Sequence, residues 1–313
     1  MSIAARRAVV TGAFSYIGAA VAAELLARGF SVRSLTNRRA PTGSPVTTSP
    51  LRFEPDRLRR ELADADVFVN TYWIRLPHAG LTFATAVERS AVLLDAAVTA
   101  GVKRIVHLSV SNAQRGRALG YYRGKDEVEA HVRGLTGRHA IVRPTLVVGP
   151  NDVLTSNIAY LLRRFPCFPV PAARARLQPI TLADTARIIA DAALDDRVAE
   201  VDAAGPEVMT FMEYVRLVAK ACRLRRVIFP SPRWLALAGV RLIEPFLRDV
   251  VLTREELLGL EQELLLSHEP PRGQQSVASW LSEQGAQLGR RYVNDRHRHF
   301  GPGRTERVLD LTR

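Results

Sequence analysis

Tyr121 and Lys125 stand four residues apart in Tyr121-Tyr122-Arg123-Gly124-Lys125, about a hundred residues after a glycine turn, Thr11-Gly12-Ala13-Phe14-Ser15-Tyr16-Ile17-Gly18. With three lysines and seven tyrosines in 313 residues, chance gives only about 0.07 Tyr-x-x-x-Lys pairs. On a helix, residues at i and i+4 share a face, so the pair can address one cleft. A phenol ionises near pH 10, and a nearby ammonium favours the phenolate and lowers that value. The pair could then exchange a proton with a substrate hydroxyl or carbonyl while hydride passes to or from a nicotinamide. Gly124 would let this helix come close to the cofactor. Tyr122, three residues from Lys125, reads as packing.

A third group should hold the substrate oxygen. Ser109 and Ser111, in His107-Leu108-Ser109-Val110-Ser111-Asn112, follow an apolar strand at the carboxyl end of the expected sheet. Ser111 is the candidate and Ser109 a structural or secondary contact, with serines that merely end a strand as the plainer alternative.

The elements that must position these groups alternate between strand and helix through the first 150 residues, which predicts a doubly wound parallel sheet, a Rossmann-type α/β fold. Arg7 to Val10, Ser31 to Thr36, Leu51 to Phe53, Val67 to Asn70, Arg104 to Ser109 and His139 to Val142 read as strands. Helices are expected over 17–28, over 81–100 and from about Tyr121, with Arg38 to Pro50 a loop. Beyond Pro150, Phe165 to Pro171 contains three prolines and reads as a loop, and 184–194 as a helix. The patterns at 211–221 and 234–266 suggest a smaller, mainly helical lobe. The expected division is a dinucleotide-binding domain of residues 1–150 to which 177–205 returns, with 151–176 and 206–313 forming the lobe and a basic tail.

A pyrophosphate needs close backbone amides and a helix N-terminus facing it. Gly12 and Gly18 bracket the right distance, but Ser15 replaces the usual middle glycine, and its hydroxyl could crowd a phosphate or bond to it. At the end of the second strand, Thr36-Asn37-Arg38-Arg39 stands where an acidic residue would bind a ribose 2′-hydroxyl. Arg38 with Asn37 favours the 2′-phosphate of NADP(H), with NAD(H) the alternative.

Composition excludes several other classes. Cys167 and Cys222 give neither a disulfide framework nor a metal spacing, which suits a reducing cytoplasm and predicts no metal. The net charge of +13 is mostly arginine spread along the chain, without the interleaved aromatics or motifs of nucleic-acid binding, so no nucleic-acid partner is expected. Arg6 and Arg7 precede an apolar run that Thr11-Gly12 interrupts too early for a signal peptide. Arg241, Glu244, Arg248 and Asp249 break the most membrane-like stretch, Trp234 to Leu252, which reads as an amphipathic helix lying against protein. His297-x-His299 in the basic tail, Arg290 to Arg313, reads as an exposed, solvated face. No Gly-x-Ser-x-Gly elbow is present. Nothing in the pattern sets an oligomeric state.

Taken together, these motifs resemble the short-chain dehydrogenase/reductase superfamily, in its extended or atypical branch of NAD(P)-dependent epimerases, dehydratases and NmrA-like proteins. The likeness runs from about Ala8 to about Leu260. Arg143-Pro144-Thr145-Leu146-Val147-Val148-Gly149-Pro150 is similar to the family segment after the sixth strand, and Gln178-Pro179-Ile180-Thr181-Leu182-Ala183-Asp184 to a later element. The resemblance implies catalysis by Ser111, Tyr121 and Lys125, a phosphate turn of Gly12, Ser15, Tyr16, Ile17 and Gly18, and cofactor contacts from Asn70, Thr71, Ser109, Lys125 and Pro144. It implies an NADP(H)-dependent oxidoreductase or epimerase acting on a small molecule. Ser15 and Asn70-Thr71-Tyr72-Trp73 depart from the family pattern in a way typical of its atypical members, many of which have lost catalysis, so the alternative is a non-enzymatic NAD(P)-binding redox sensor or accessory protein of the NmrA-like kind.

Overall fold

The first strand, β1 (Arg7–Thr11), shows why the chain forms three layers. Its side chains alternate between faces. Ala8 and Val10 enter one core with Val21, Leu25, Ile188 and Ile189, while Val9 enters another with Leu58, Leu62, Leu93 and Val128. A strand buried on both faces needs helices on both, which is the condition for a parallel sheet. The computed structural model describes residues 6–300.

After β1 come α1 (Tyr16–Ala27), β2 (Ser31–Leu35), β3 (Thr47–Ser49), α2 (Pro55–Leu62), β4 (Val67–Asn70), α3 (Phe83–Thr99), β5 (Arg104–Leu108), α4 (Gly120–Arg133) and β6 (His139–Pro144). The sheet has seven strands, the last being β11 (Glu200–Ala203), in the order β11-β6-β5-β4-β1-β2-β3. Every pairing in it is parallel. Because β2 lies on one side of β1 and β4 on the other, the strand order reverses there, and the crevice where such folds bind ligands opens at the carboxyl end of β1.

Between β6 and β11 run β7 (Leu146–Val148), α5 (Val153–Arg164), β8 (Cys167–Val170), β9 (Arg176–Leu177), β10 (Pro179–Thr181) and α6 (Leu182–Leu194). They are followed by β12 (Met209–Thr210), α7 (Phe211–Ala221), β13 (Val227–Pro230), α8 (Arg233–Leu247), α9 (Arg254–Glu261), α10 (Val277–Gln284) and α11 (Asp295–Phe300). A separate core around Tyr214, Leu162, Val215 and Leu281 joins α5, α7 and α10.

Three local expectations are corrected. The third strand lies at Thr47–Ser49, inside the expected loop, because an edge strand with exposed threonines shows no apolar signature, while Leu51 and Phe53 pack onto the core outside the sheet. The proline-rich stretch contains β8, with Pro169 opposite Phe229 in a two-stranded ribbon that a proline can join at its edge. The helix expected to lie against protein, α8, buries only Ala236. No helix among the described residues is long and apolar enough to cross a membrane. The expectation for the tail beyond residue 300 falls outside the described residues.

Candidate dinucleotide cleft

Gly12 adopts φ = +66°, a left-handed conformation that favours glycine, and its N–H donates to Leu35 O (2.9 Å). Six residues on, a Cβ on Gly18 would lie 2.2 Å from Gly12 O, so only glycine fits there. Ser15 is the N-cap of α1: its Oγ accepts from Gly18 N (3.3 Å). The serine that replaces a glycine therefore satisfies one of the helix's open donors. Behind the turn, Thr71 N donates to Thr11 Oγ1 (2.7 Å) and Thr71 Oγ1 to Thr11 O (2.5 Å), lacing β4 to β1. Buried Asn70 accepts from Thr11 Oγ1 (3.2 Å) and donates to His107 Nδ1 (3.3 Å). Burial holds His107 well below the usual imidazole range, hence neutral.

Arg38 lies across the same turn. Its guanidinium donates to Phe14 O and to Arg298 O (3.1 Å), the second on α11. Asn37 instead clasps Leu51, donating to its carbonyl (3.2 Å) and accepting from its N–H (3.0 Å). Arg298 donates to Asn151 O (2.6 Å) and lies 6.0 Å from the centre of the Tyr16 ring, so α11 overlies the start of α1. The Tyr16 hydroxyl is buried without a hydrogen-bond partner, and Gly149 makes room for it. Burial raises its pKa beyond the phenol range, as does the Asp152 charge, with Arg298 opposing. Ile17 packs on the sheet core.

Around the expected reacting groups the structure differs from the sequence-based picture. Lys125 Nζ donates to Leu108 O (2.7 Å) and sits 4.5 Å above the Trp73 ring. The Tyr121 ring meets the same indole edge-to-face at 6.1 Å. Tyr121 is pushed up to about 12, first by burial and then by Glu256, with Arg75 opposing; no ammonium lowers it. Lys125 is driven down to about 7 by burial. Gly124 makes room for Trp73, 2.9 Å from a hypothetical Cβ, rather than for a cofactor.

Ser111, fully buried, donates to Leu264 O (2.7 Å) while its N–H bonds Pro144 O (3.0 Å). Ser109 donates to Glu129 Oε1 (2.5 Å), a carboxylate also held by Arg143 (2.9 Å). Tyr122 packs with Leu119 and Leu264, as expected.

Arg75 was not singled out by the sequence. It follows Trp73 and holds the post-β4 loop to the C-terminal region through Glu256 (2.7 Å) and Asp295 (3.6 Å). Glu256 also completes the capping box of α9 with Thr253. The only sequence signal at this place was the departure Asn70-Thr71-Tyr72-Trp73. Trp73 Nε1 and Arg75 Nη1 are, like Tyr16 OH, buried and without a hydrogen-bond partner. A glycine turn packed this closely at the N-terminus of α1 suits a polar dinucleotide. Among the described residues, no group of three or more His, Cys, Asp or Glu could hold a metal ion.

No family model matches the sequence, and no curated protein matches it. Solved structures do. The chain is similar to a nucleoside-diphosphate-sugar epimerase from Staphylococcus aureus, at 16% identity over 88% of this chain and 99% of that one, with a TM-score of 0.72. The fold is that of the nucleotide-sugar epimerases. An enzyme of Bordetella bronchiseptica in complex with NAD+ matches over 95% of this chain and 99% of its own, at 17% identity and a TM-score of 0.64. A UDP-N-acetylglucosamine 4-epimerase from Methanobrevibacter ruminantium, in complex with UDP-N-acetylmuramic acid, covers 74% and 86% at 14% identity and a TM-score of 0.61. At such identities the likeness establishes architecture; chemistry must be argued from the cleft.

Proposed function

We propose that this protein is an NADP(H)-dependent oxidoreductase or epimerase acting on a small carbonyl or hydroxyl substrate. The observation that carries this reading is the glycine turn at the reversal point of the sheet, where Gly18 is packed so closely on Gly12 that no other residue fits. Gly12, Ser15, Tyr16 and Gly18, with the Arg298 guanidinium over Tyr16, would hold the pyrophosphate, and Arg38 the 2′-phosphate. The cofactor supplies hydride exchange at its nicotinamide. Tyr121 would give or take the substrate proton, Lys125 would stabilise the phenolate, and Ser111 would bind the substrate oxygen. For that assembly Trp73 must leave the Lys125 ammonium and the chain at Leu264 must release Ser111.

Titration with NADPH and NADH, followed by nicotinamide fluorescence, tests the binding half, and Arg38→Ala should bring NADPH down to the affinity of NADH. For the chemistry, Tyr121→Phe should abolish NADPH consumption with a carbonyl panel while sparing cofactor binding; unchanged turnover would sink the assignment. A second reading, a non-enzymatic NAD(P)-binding sensor, is favoured by the engagement of Lys125 and Ser111 in internal hydrogen bonds. Cofactor binding that alters affinity for a protein partner, with no turnover in either variant or wild type, would favour it.

A further inference from the structure

Helix α8 is apolar, yet of its residues only Ala236 is buried. Trp234 is 67% exposed, Leu242 74% and Phe246 87%. At about 100° per residue, Trp234, Leu235, Ala238, Leu242, Pro245 and Phe246 fall within an arc of about 120°. Arg241 and Arg233, both exposed, flank that arc on one side, and exposed Arg248 caps the end of the helix in a left-handed conformation. The buried Ala236 and the half-buried Ile243 and Leu247 lie opposite, toward the protein. The helix therefore presents an apolar strip and a cationic strip side by side to solvent.

The surroundings extend both properties. Directly before it, β13 exposes Val227 (66%) and Phe229 (36%), and Arg223 and Arg225, also exposed, precede that strand. Glu244, the acidic residue within the helix, turns back to accept from Val251 N (3.0 Å), and Glu261 pairs with Arg233 (3.5 Å).

We propose that α8, with β13 leading into it, is a membrane-surface anchor that lies in the plane of an anionic bilayer. Fifteen residues are too few to span the hydrocarbon but suit a helix lying along the headgroup boundary with its apolar face inserted. Arginines at the edge of the strip meet lipid phosphates, and the chain's net charge of +13 draws it toward a negative surface. The same charge disfavours a second copy as the occupant, since pairing two α8 faces would bring two such arginine strips and two cationic chains together.

Co-sedimentation of the full chain with phosphatidylcholine vesicles, with and without about 30% phosphatidylglycerol, tests this. Binding should require the anionic lipid and weaken as salt rises. The double variant Leu242→Ser/Phe246→Ser removes exposed groups only, so it should keep the wild-type melting temperature while losing about tenfold or more in vesicle affinity. Three results overturn the proposal: no binding to anionic vesicles, binding that the double variant leaves unchanged, or a dimer in sedimentation velocity that the variant dissolves while wild type ignores vesicles. The last would make a second copy the occupant.

Discussion

Lys125 holds its position by three contacts of different kind: a backbone carbonyl at Leu108, the face of Trp73, and the field of Glu129. Burial outweighs them and lowers its pKa from 10.5 to about 7. The sign of the consequence follows from linkage. Below about pH 7 both folded and unfolded chains bind the proton; between about 7 and 10.5 only the unfolded chain does, so folding gains as pH rises. Relative to Lys125→Met, the wild type should gain stability between pH 7.5 and 9.5 with a slope approaching ~1.4 kcal/mol per unit. Urea melts of both proteins across that range check it; parallel profiles would mean that the lysine stays charged in the fold. The Tyr-x-x-x-Lys spacing was visible in the sequence and does put both residues on one helix. That an indole would contact both was not, because Trp73 arrives from the loop after β4, some fifty residues earlier.

At the scale of elements, α11 packs over the start of α1 beside the glycine turn. Asp249, just past α8, accepts from Asp295 N (2.8 Å) and Arg296 N (3.2 Å), which seats the helix so that Arg298 lies over Tyr16 and bonds Asn151 O. A cation held there should contribute to binding a pyrophosphate, so Arg298→Ala should weaken NADPH about tenfold without changing the melting temperature by more than ~2 °C. Tighter binding in that variant would show that the helix obstructs the turn instead. Element boundaries in the first half were legible because strands buried on both faces are continuous apolar runs. Those of β3 and β8 were not, because edge and ribbon strands are set by pairing partners distant in sequence, Arg33 to Leu35 for one and Val227 to Pro230 for the other.

For the whole molecule, the net charge of +13 repels itself in the compact state despite many arginine pairs, among them Arg138 with Asp196 and Arg143 with Glu129 and Glu200. Raising NaCl from about 50 to about 500 mM should therefore raise the melting temperature by ~2–4 °C through screening. A fall would mean that the surface pairs outweigh the repulsion. Arg104 illustrates the other use of arginine in this chain: buried, it donates to the carbonyls of Ala192, Asp195 and His139 and so ties the end of α6 to the sheet.

By itself the sequence determined the architecture and the turn. Alternating buried strands and amphipathic helices admit few topologies, and the closeness of Gly12 and Gly18 is a local backbone property that two glycines announce. Only the tertiary structure decided what the reacting side chains touch. Ser111 faces a carbonyl of residue 264, Lys125 an indole of residue 73, and the apolar strip of α8 faces solvent. Each depends on which distant segment fills a given volume, and neither periodicity nor spacing carries that information.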